Sequence, residues 1–216
     1  VLALAAILLT ITGWQVAIRW HPSDADYPLQ GIDVSHHQGA IDWRLLPDQG
    51  VDFAYIKASE GADVRDPAFA ANWASARREG IARGAYHYFT LCRSGAEQAA
   101  NFIAAVPADP AMLRPAVDLE FGGNCADRPP PEKLIRELTV FIRLVEAHYG
   151  KRVTLYLTRE FDAGYEVSKR IPRKLWLRNL VLEPDWGARR WSLWQASSFR
   201  SLAGIDGRVD WNVGRP

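Results

Sequence analysis

From residue 31 onward, short apolar runs alternate with longer amphipathic stretches, a pattern that predicts strands separated by helices. Candidate strands are GIDVS at 31–35, FAYIKA at 53–58, RGAYHYF at 83–89 and PAVDLE at 115–120. Four more are VTLYLT at 153–158, LWLRN at 175–179, WSLWQ at 191–195 and VDWNV at 209–213. Three of the stretches between them carry helix punctuation. Asp66-Pro67 offers a cap and a first-turn proline, with Gly80 as the stop. Ser94-Gly-Ala-Glu97 is a capping-box pattern opening a helix through Val106. Between Pro131 and Tyr149, Leu134, Ile135, Leu138, Ile142 and Val145 form one apolar stripe that ends at Gly150. After residue 158 the gaps between strands shrink, leaving little room for full crossover helices. The expected fold class is therefore α/β: an irregular, TIM-like, eight-stranded β/α barrel whose later helices are short or missing. No G-x-G-x-x-G follows any strand, which disfavours a doubly wound open sheet.

The first 18 residues contain no charged side chain and predict an N-terminal apolar helix. About 18 apolar residues is the lower limit for crossing a bilayer. Trp14, Arg19 and Trp20 read as an interfacial belt, and no small-x-small cleavage site closes the run. The expectation is a signal-anchor over residues 1–20, with a cleaved signal peptide as the alternative. A proline-containing linker over 21–30 and the barrel over 31–216 follow. Either leader implies export, and the anchor implies a membrane partner through residues 1–20.

Composition narrows the function classes. Apolar residues make up 48% and charged residues 24%, so a core is available and disorder is not expected. Lys plus Arg number 26 against 25 Asp plus Glu, a formal charge of +1, which argues against a nucleic-acid partner. Cys92 and Cys125 follow two consecutive candidate strands, so their loops can meet and pair in an oxidising compartment; two free thiols are the alternative. They lack C-x-x-C spacing and make a poor zinc site.

In a barrel of parallel strands, reactive groups gather at the C-terminal strand ends. Those ends carry Asp33, Glu60 just past the second strand, Asp118 and Glu120, with Asp210 on the last strand. Alternation puts Asp118 and Glu120 on one face and Leu119 on the other, with Cα atoms about 6.6 Å apart. Two carboxylates on one inward face repel, and burial raises at least one pKa, as suits a neutral acid working beside an ionised carboxylate. That pairing is the common equipment of glycoside hydrolysis. Tyr86, Tyr88, Tyr156, Trp176 and Trp194 lie on candidate strands and offer aromatic faces for sugars, while His87 points away from Tyr86 and Tyr88. His36-His37 looks like a metal pair, but neighbours in extended chain point to opposite sides. With no H-E-x-x-H, no G-x-S-x-G and no phosphate loop, neither a metal nor a cofactor is assigned.

Four motifs occur in order: Gly31-Ile-Asp-Val-Ser-His-His-Gln-Gly39, Tyr55-Ile-Lys-Ala-Ser-Glu-Gly61, Gly84-Ala-Tyr-His-Tyr88 and Ala116-Val-Asp-Leu-Glu120. Together with Trp194-Gln195 and Val209-Asp-x-Asn212, the chain resembles the glycoside hydrolase family 25 lysozymes, Chalaropsis-type muramidases, from about Gln30 to Asn212. The resemblance implies an irregular β/α barrel and cleavage of the β-1,4 bond between N-acetylmuramic acid and N-acetylglucosamine in peptidoglycan strands. It implies Glu120 as general acid and Asp118 as second carboxylate, with retention, either through the substrate's own acetamide or through a covalent enzyme intermediate. Asp33 and Asp210 are implied as further cleft acids, and Tyr86, Tyr156, Trp176 and Gln195 as lining for the sugar. Tyr88, Trp194 and Glu60 complete the candidate substrate-binding set. The Cys92–Cys125 pair resembles a subset from Gram-negative bacteria. The leader leads to the expectation of a barrel anchored at the inner membrane and facing the periplasm, or secreted if the leader is cleaved, and a monomer is expected. Arg178 departs from the pattern, standing where many relatives carry a small residue. A non-catalytic glycan-binding module and a chitin-type N-acetylglucosaminide hydrolase are the alternatives.

Overall fold

The computed structural model describes residue 10 and residues 12–215. Nine strands are present among them: β1 (Leu29–Val34), β2 (Phe53–Glu60), β3 (Val64–Arg65), β4 (Ala82–Tyr88), β5 (Ala116–Leu119), β6 (Thr154–Leu157), β7 (Lys174–Arg178), β8 (Leu193–Arg200) and β9 (Val209–Gly214). The sheet runs β1-β9-β8-β7-β6-β5-β4-β2 and closes through a β1–β2 pairing, with β3 folded back on β2 outside the ring. It is an eight-stranded closed barrel. Seven strands are parallel, whereas β9 runs antiparallel to both β8 and β1. Its beginning, not its end, therefore meets the C-terminal ends of the others, and this is what brings Asp210 to that rim.

Helices cover the early part of the barrel: α1 (Phe69–Arg78), α2 (Gly95–Ala105) and α3 (Pro131–Tyr149). Among the described residues only α4 (Arg159–Tyr165) and α5 (Val167–Arg170) follow, and no helix separates β7 from β8. The Ser94–Glu97 capping box forms, and the apolar stripe of α3 is buried, with Phe141 added to it and Ile135 only half-buried. The start of α1 differs from expectation. Asp66 does not cap it, because Asp66 Oδ2 accepts from the His36 backbone N–H at 2.9 Å, while Oδ1 accepts from the Ala68 N–H. Helix geometry then begins at Phe69.

Two apolar layers result. Between barrel wall and helices lies the main core, where His87 stacks on Phe141 at 4.9 Å and is fixed by Ser59 and Gln98. Inside the barrel sits a separate aromatic plug of Phe53, Tyr55, Tyr156 and Trp176. The plug fits because the neighbouring strands carry glycine: a Cβ on Gly84 would lie 2.5 Å from the Tyr55 ring, and one on Gly31 2.6 Å from the Phe53 ring. The plug blocks the lumen, so the open end above it becomes a cleft instead of a pore.

The expected N-terminal helix lies largely outside the described residues; residues 12–17 are helical. No described helix is long and apolar enough to cross a membrane. The segment meets the barrel at the β8–β9 connection, where Ser201 N–H donates to Ile18 O at 2.9 Å and the Arg208 guanidinium lies 4.3 Å from the Trp14 ring centroid.

Candidate active site

Above the aromatic plug, the strand ends surround a cavity of about 830 Å³. Alternation along β5 and into the residue after it sends Asp118 and Glu120 into the cavity, while Leu119 packs into the helix-side core. Asp33 of β1 lies directly opposite Asp210 of β9, so two carboxylates face each other across one strand pair. Glu60 reaches the same cavity by a different route. Strict alternation would turn it away from Lys57, but β2 carries a bulge: Lys57 pairs with Tyr86, whereas Ser59 pairs with His87 and Glu60 with Tyr88. The extra residue returns Glu60 to the cleft face, where it accepts from Lys57 Nζ at 2.7 Å.

Of the four acids, Asp33 is the one held by the protein. Its Oδ2 accepts from Asn212 Nδ2 at 2.7 Å and Gln195 Nε2 at 3.0 Å. Both amide orientations are fixed from behind. Trp176 Nε1, which can only donate, bonds Asn212 Oδ1 at 2.7 Å. Tyr156 Oη donates to Gln195 Oε1 at 2.9 Å, and burial beside the acids holds the Tyr156 hydroxyl protonated. Among the described residues, the side chains of Asp118, Glu120 and Asp210 accept no hydrogen bond, and Asp118 Oδ1 is a buried acceptor left without a donor.

Electrostatics follow from crowding. Burial raises Glu120 to about 6, with Arg178 pulling it down and Asp33 pushing it up. Asp33 also stands at about 6, lifted by burial and restrained by its two amide donors. Asp210 rises to about 8 through burial and the Asp33 charge. Asp118 is raised well above the carboxylate range, by burial first and then by Glu120 and Asp33. Four acids this close do not all ionise near neutral pH; they share protons. A neutral acid beside a carboxylate is thus built into the cleft.

The candidate residues Glu120, Asp118, Asp33, Asp210, Glu60, Tyr86, Tyr88, Tyr156, Trp176 and Gln195 all line the cavity. Tyr156 and Trp176 form its floor, nearly sealed within the plug. Tyr88 is pinned by its hydroxyl, which donates to Gly122 O at 2.5 Å. Trp194 is a correction. Because Gln195 faces inward, Trp194 faces outward; it is buried in the helix-side core, packs against Tyr27 and Trp191, and donates through Nε1 to Asn179 O. His36 and His37 are a second correction. They occupy a one-turn 3₁₀ helix, not extended chain, so their rings lie 4.0 Å apart. Among the described residues, no group of three or more His, Cys, Asp or Glu is arranged to hold a metal ion. Cys92 and Cys125 are joined, their Cα atoms 6.4 Å apart, tying the loop after β4 to the loop after β5. The sequence reading did not single out Lys57 or Glu160 at the cleft, nor Asn212 as the partner of Asp33. The inward register of Lys57, two residues beyond Tyr55, was the available signal.

The model of the glycosyl hydrolases family 25 matches residues 32–205. A solved structure described as a family 25 glycosyl hydrolase from Bacillus anthracis is similar with a TM-score of 0.83 and 37% identity, covering 92% of this chain and 93% of that one. The uncharacterized protein YegX of Escherichia coli strain K12 is 34% identical over 199 residues, 88% of this chain and 70% of its own. Lysozyme M1 of Streptomyces globisporus is 30% identical over 201 residues, 85% of this chain and 67% of its own.

Proposed function

The chain belongs to glycosyl hydrolases family 25, and on that premise we propose that it cleaves the β-1,4 bond between N-acetylmuramic acid and N-acetylglucosamine in peptidoglycan, with retention. The observation that carries this reading is the pairing at the end of β5 of Glu120, protonated up to about pH 6, with Asp118, whose buried Oδ1 lacks a donor. A 2-acetamido sugar supplies that donor. Its N–H bonds Asp118, and this favours the ionised carboxylate, opposing the burial that raises the Asp118 pKa. Asp118, accepting the acetamide N–H, pushes electron density onto the acetamide oxygen, which attacks the anomeric carbon as Glu120 protonates the departing glycosidic oxygen. Glu120, now ionised, takes a proton from the water that opens the cyclic intermediate, which restores Glu120 as the acid while Asp118 stays ionised. Asp33, rigid on its two amide donors, and Asp210 order the sugar and the water.

The test is digestion of purified peptidoglycan by the parent and by Glu120→Gln, with mass spectrometry of the new ends. New reducing muramic acid from the parent, reduced at least about 100-fold in Glu120→Gln, is the expected result. Reducing glucosamine ends would change the bond assigned; equal activity in the variant would remove Glu120 from the mechanism. We further propose that the barrel works outside the cytoplasm, held at a membrane by its N-terminal segment.

A further inference from the structure

Three cations line the cleft, and two of them are engaged by the protein. Lys57 is paired with Glu60 at 2.7 Å, and Arg208 donates to Phe199 O at 2.9 Å while lying over Trp14. Arg178, at the C-terminal end of β7 beside Gln195, differs. It is half-buried, yet among the described residues its guanidinium makes no hydrogen bond and no ion pair. Six carboxylates line the same cleft: Asp33, Glu60, Asp118, Glu120, Glu160 and Asp210. A guanidinium carries five donors in a planar fork that matches a carboxylate. One set among acids, but bonded to none of them, is free for an anion that arrives from outside. Elsewhere in this cleft the acids repel such an anion, so its place is fixed by the one open cation.

Muramic acid differs from N-acetylglucosamine by a 3-O-lactyl group. In peptide-stripped strands that group ends in a free carboxylate; in intact strands it is amide-linked to a stem peptide that carries carboxylates of its own. We propose that Arg178 is a specificity-determining residue that binds a carboxylate on the muramic-acid substituent, so that the cleft takes acid-bearing strands in preference to neutral N-acetylglucosamine polymers. This rests on the muramidase reading above. The competing role, simple compensation of the cleft acids, would affect neutral and acidic sugars alike.

The experiment measures dissociation constants by calorimetry in the Glu120→Gln background, with and without Arg178→Gln. The probes are chitotetraose, a peptide-stripped peptidoglycan tetrasaccharide and the same tetrasaccharide with intact stem peptides. The expected result is a loss of at least about tenfold on an acid-bearing probe, the scale of one charge-assisted hydrogen bond, with chitotetraose unchanged within about twofold. Arg178→Lys restores part of it, since charge returns without the fork. Loss on the stripped probe identifies the lactyl carboxylate; loss on the intact probe alone identifies the stem peptide. Equal loss on all three probes, or none, overturns the proposal. Because release of muramic acid ends by the parent is read separately, failure of the muramidase reading is distinguishable from failure of the Arg178 proposal.

Discussion

Asn212 joins the aromatic plug to the acid cluster: its oxygen accepts from Trp176 Nε1 and its nitrogen donates to Asp33. Asn212→Ala strands the buried Trp176 N–H, which costs about 1–3 kcal/mol. It also removes a donor that favours ionised Asp33, so the Asp33 pKa climbs above about 6 and the acid limb of the activity profile moves to higher pH. Thermal melts and pH–rate profiles read the two effects separately; lost stability with an unmoved acid limb would make Asn212 only a strut for Trp176. At this scale the sequence was legible where side-chain period alone decides. Asp118, Glu120, Tyr86 and Tyr88 follow from alternation on β4 and β5. Asn212 stood in a motif, but its role was not legible because it depends on β1, β7 and β9 meeting, which no local pattern encodes. Trp194 was misread because composition flagged an aromatic while register, set by Gln195, turned it outward.

Among the elements, strand positions and the shortening of late helices were legible from hydrophobic period and gap length. Bulges and strand direction were not. The β2 bulge turns Glu60 into the cleft, and register shifts in β8 between Gln195 and Ser197 let Ser198 line the cleft with Gln195. Both depend on how many residues the partner strand offers, a tertiary property. The N-terminal segment belongs to this scale as well. It ends against the β8–β9 connection on the cleft side, with Val16 exposed and the Arg19 carbonyl accepting from Arg200 Nη1 at 3.0 Å. A membrane-held segment placed there keeps the cleft rim close to the bilayer. The expected outcome is that the full chain sediments with membranes through a high-salt wash and is released by detergent, while the chain from Asp24 stays in the supernatant. Recovery of the full chain in the supernatant would rule out the anchor.

For the molecule as a whole, the acid cluster sets stability against function. Asp210 holds its proton to about pH 8 in the folded cleft, while in the unfolded chain it releases it near 3.8. Over that interval folding takes up a proton, so the stability that protonated Asp210 permits is present in full below about pH 4 and lost as pH rises through 8. Asp118 and Glu120, also raised, act in the same direction. Amides in their place carry no such dependence. Asp210→Asn is therefore expected to raise the thermal midpoint at pH 8 by at least about 2–4 °C, the shift that 1 kcal/mol produces in a domain of this size, and to leave it nearly unchanged at pH 4. Activity on peptidoglycan falls in the same variant, because the group removed lies directly opposite Asp33 on the neighbouring strand at the cleft rim. Melts at the two pH values decide the matter: an equal shift at both would mean that Asp210 acts through packing and that the cluster's shared protons do not govern the stability of the barrel.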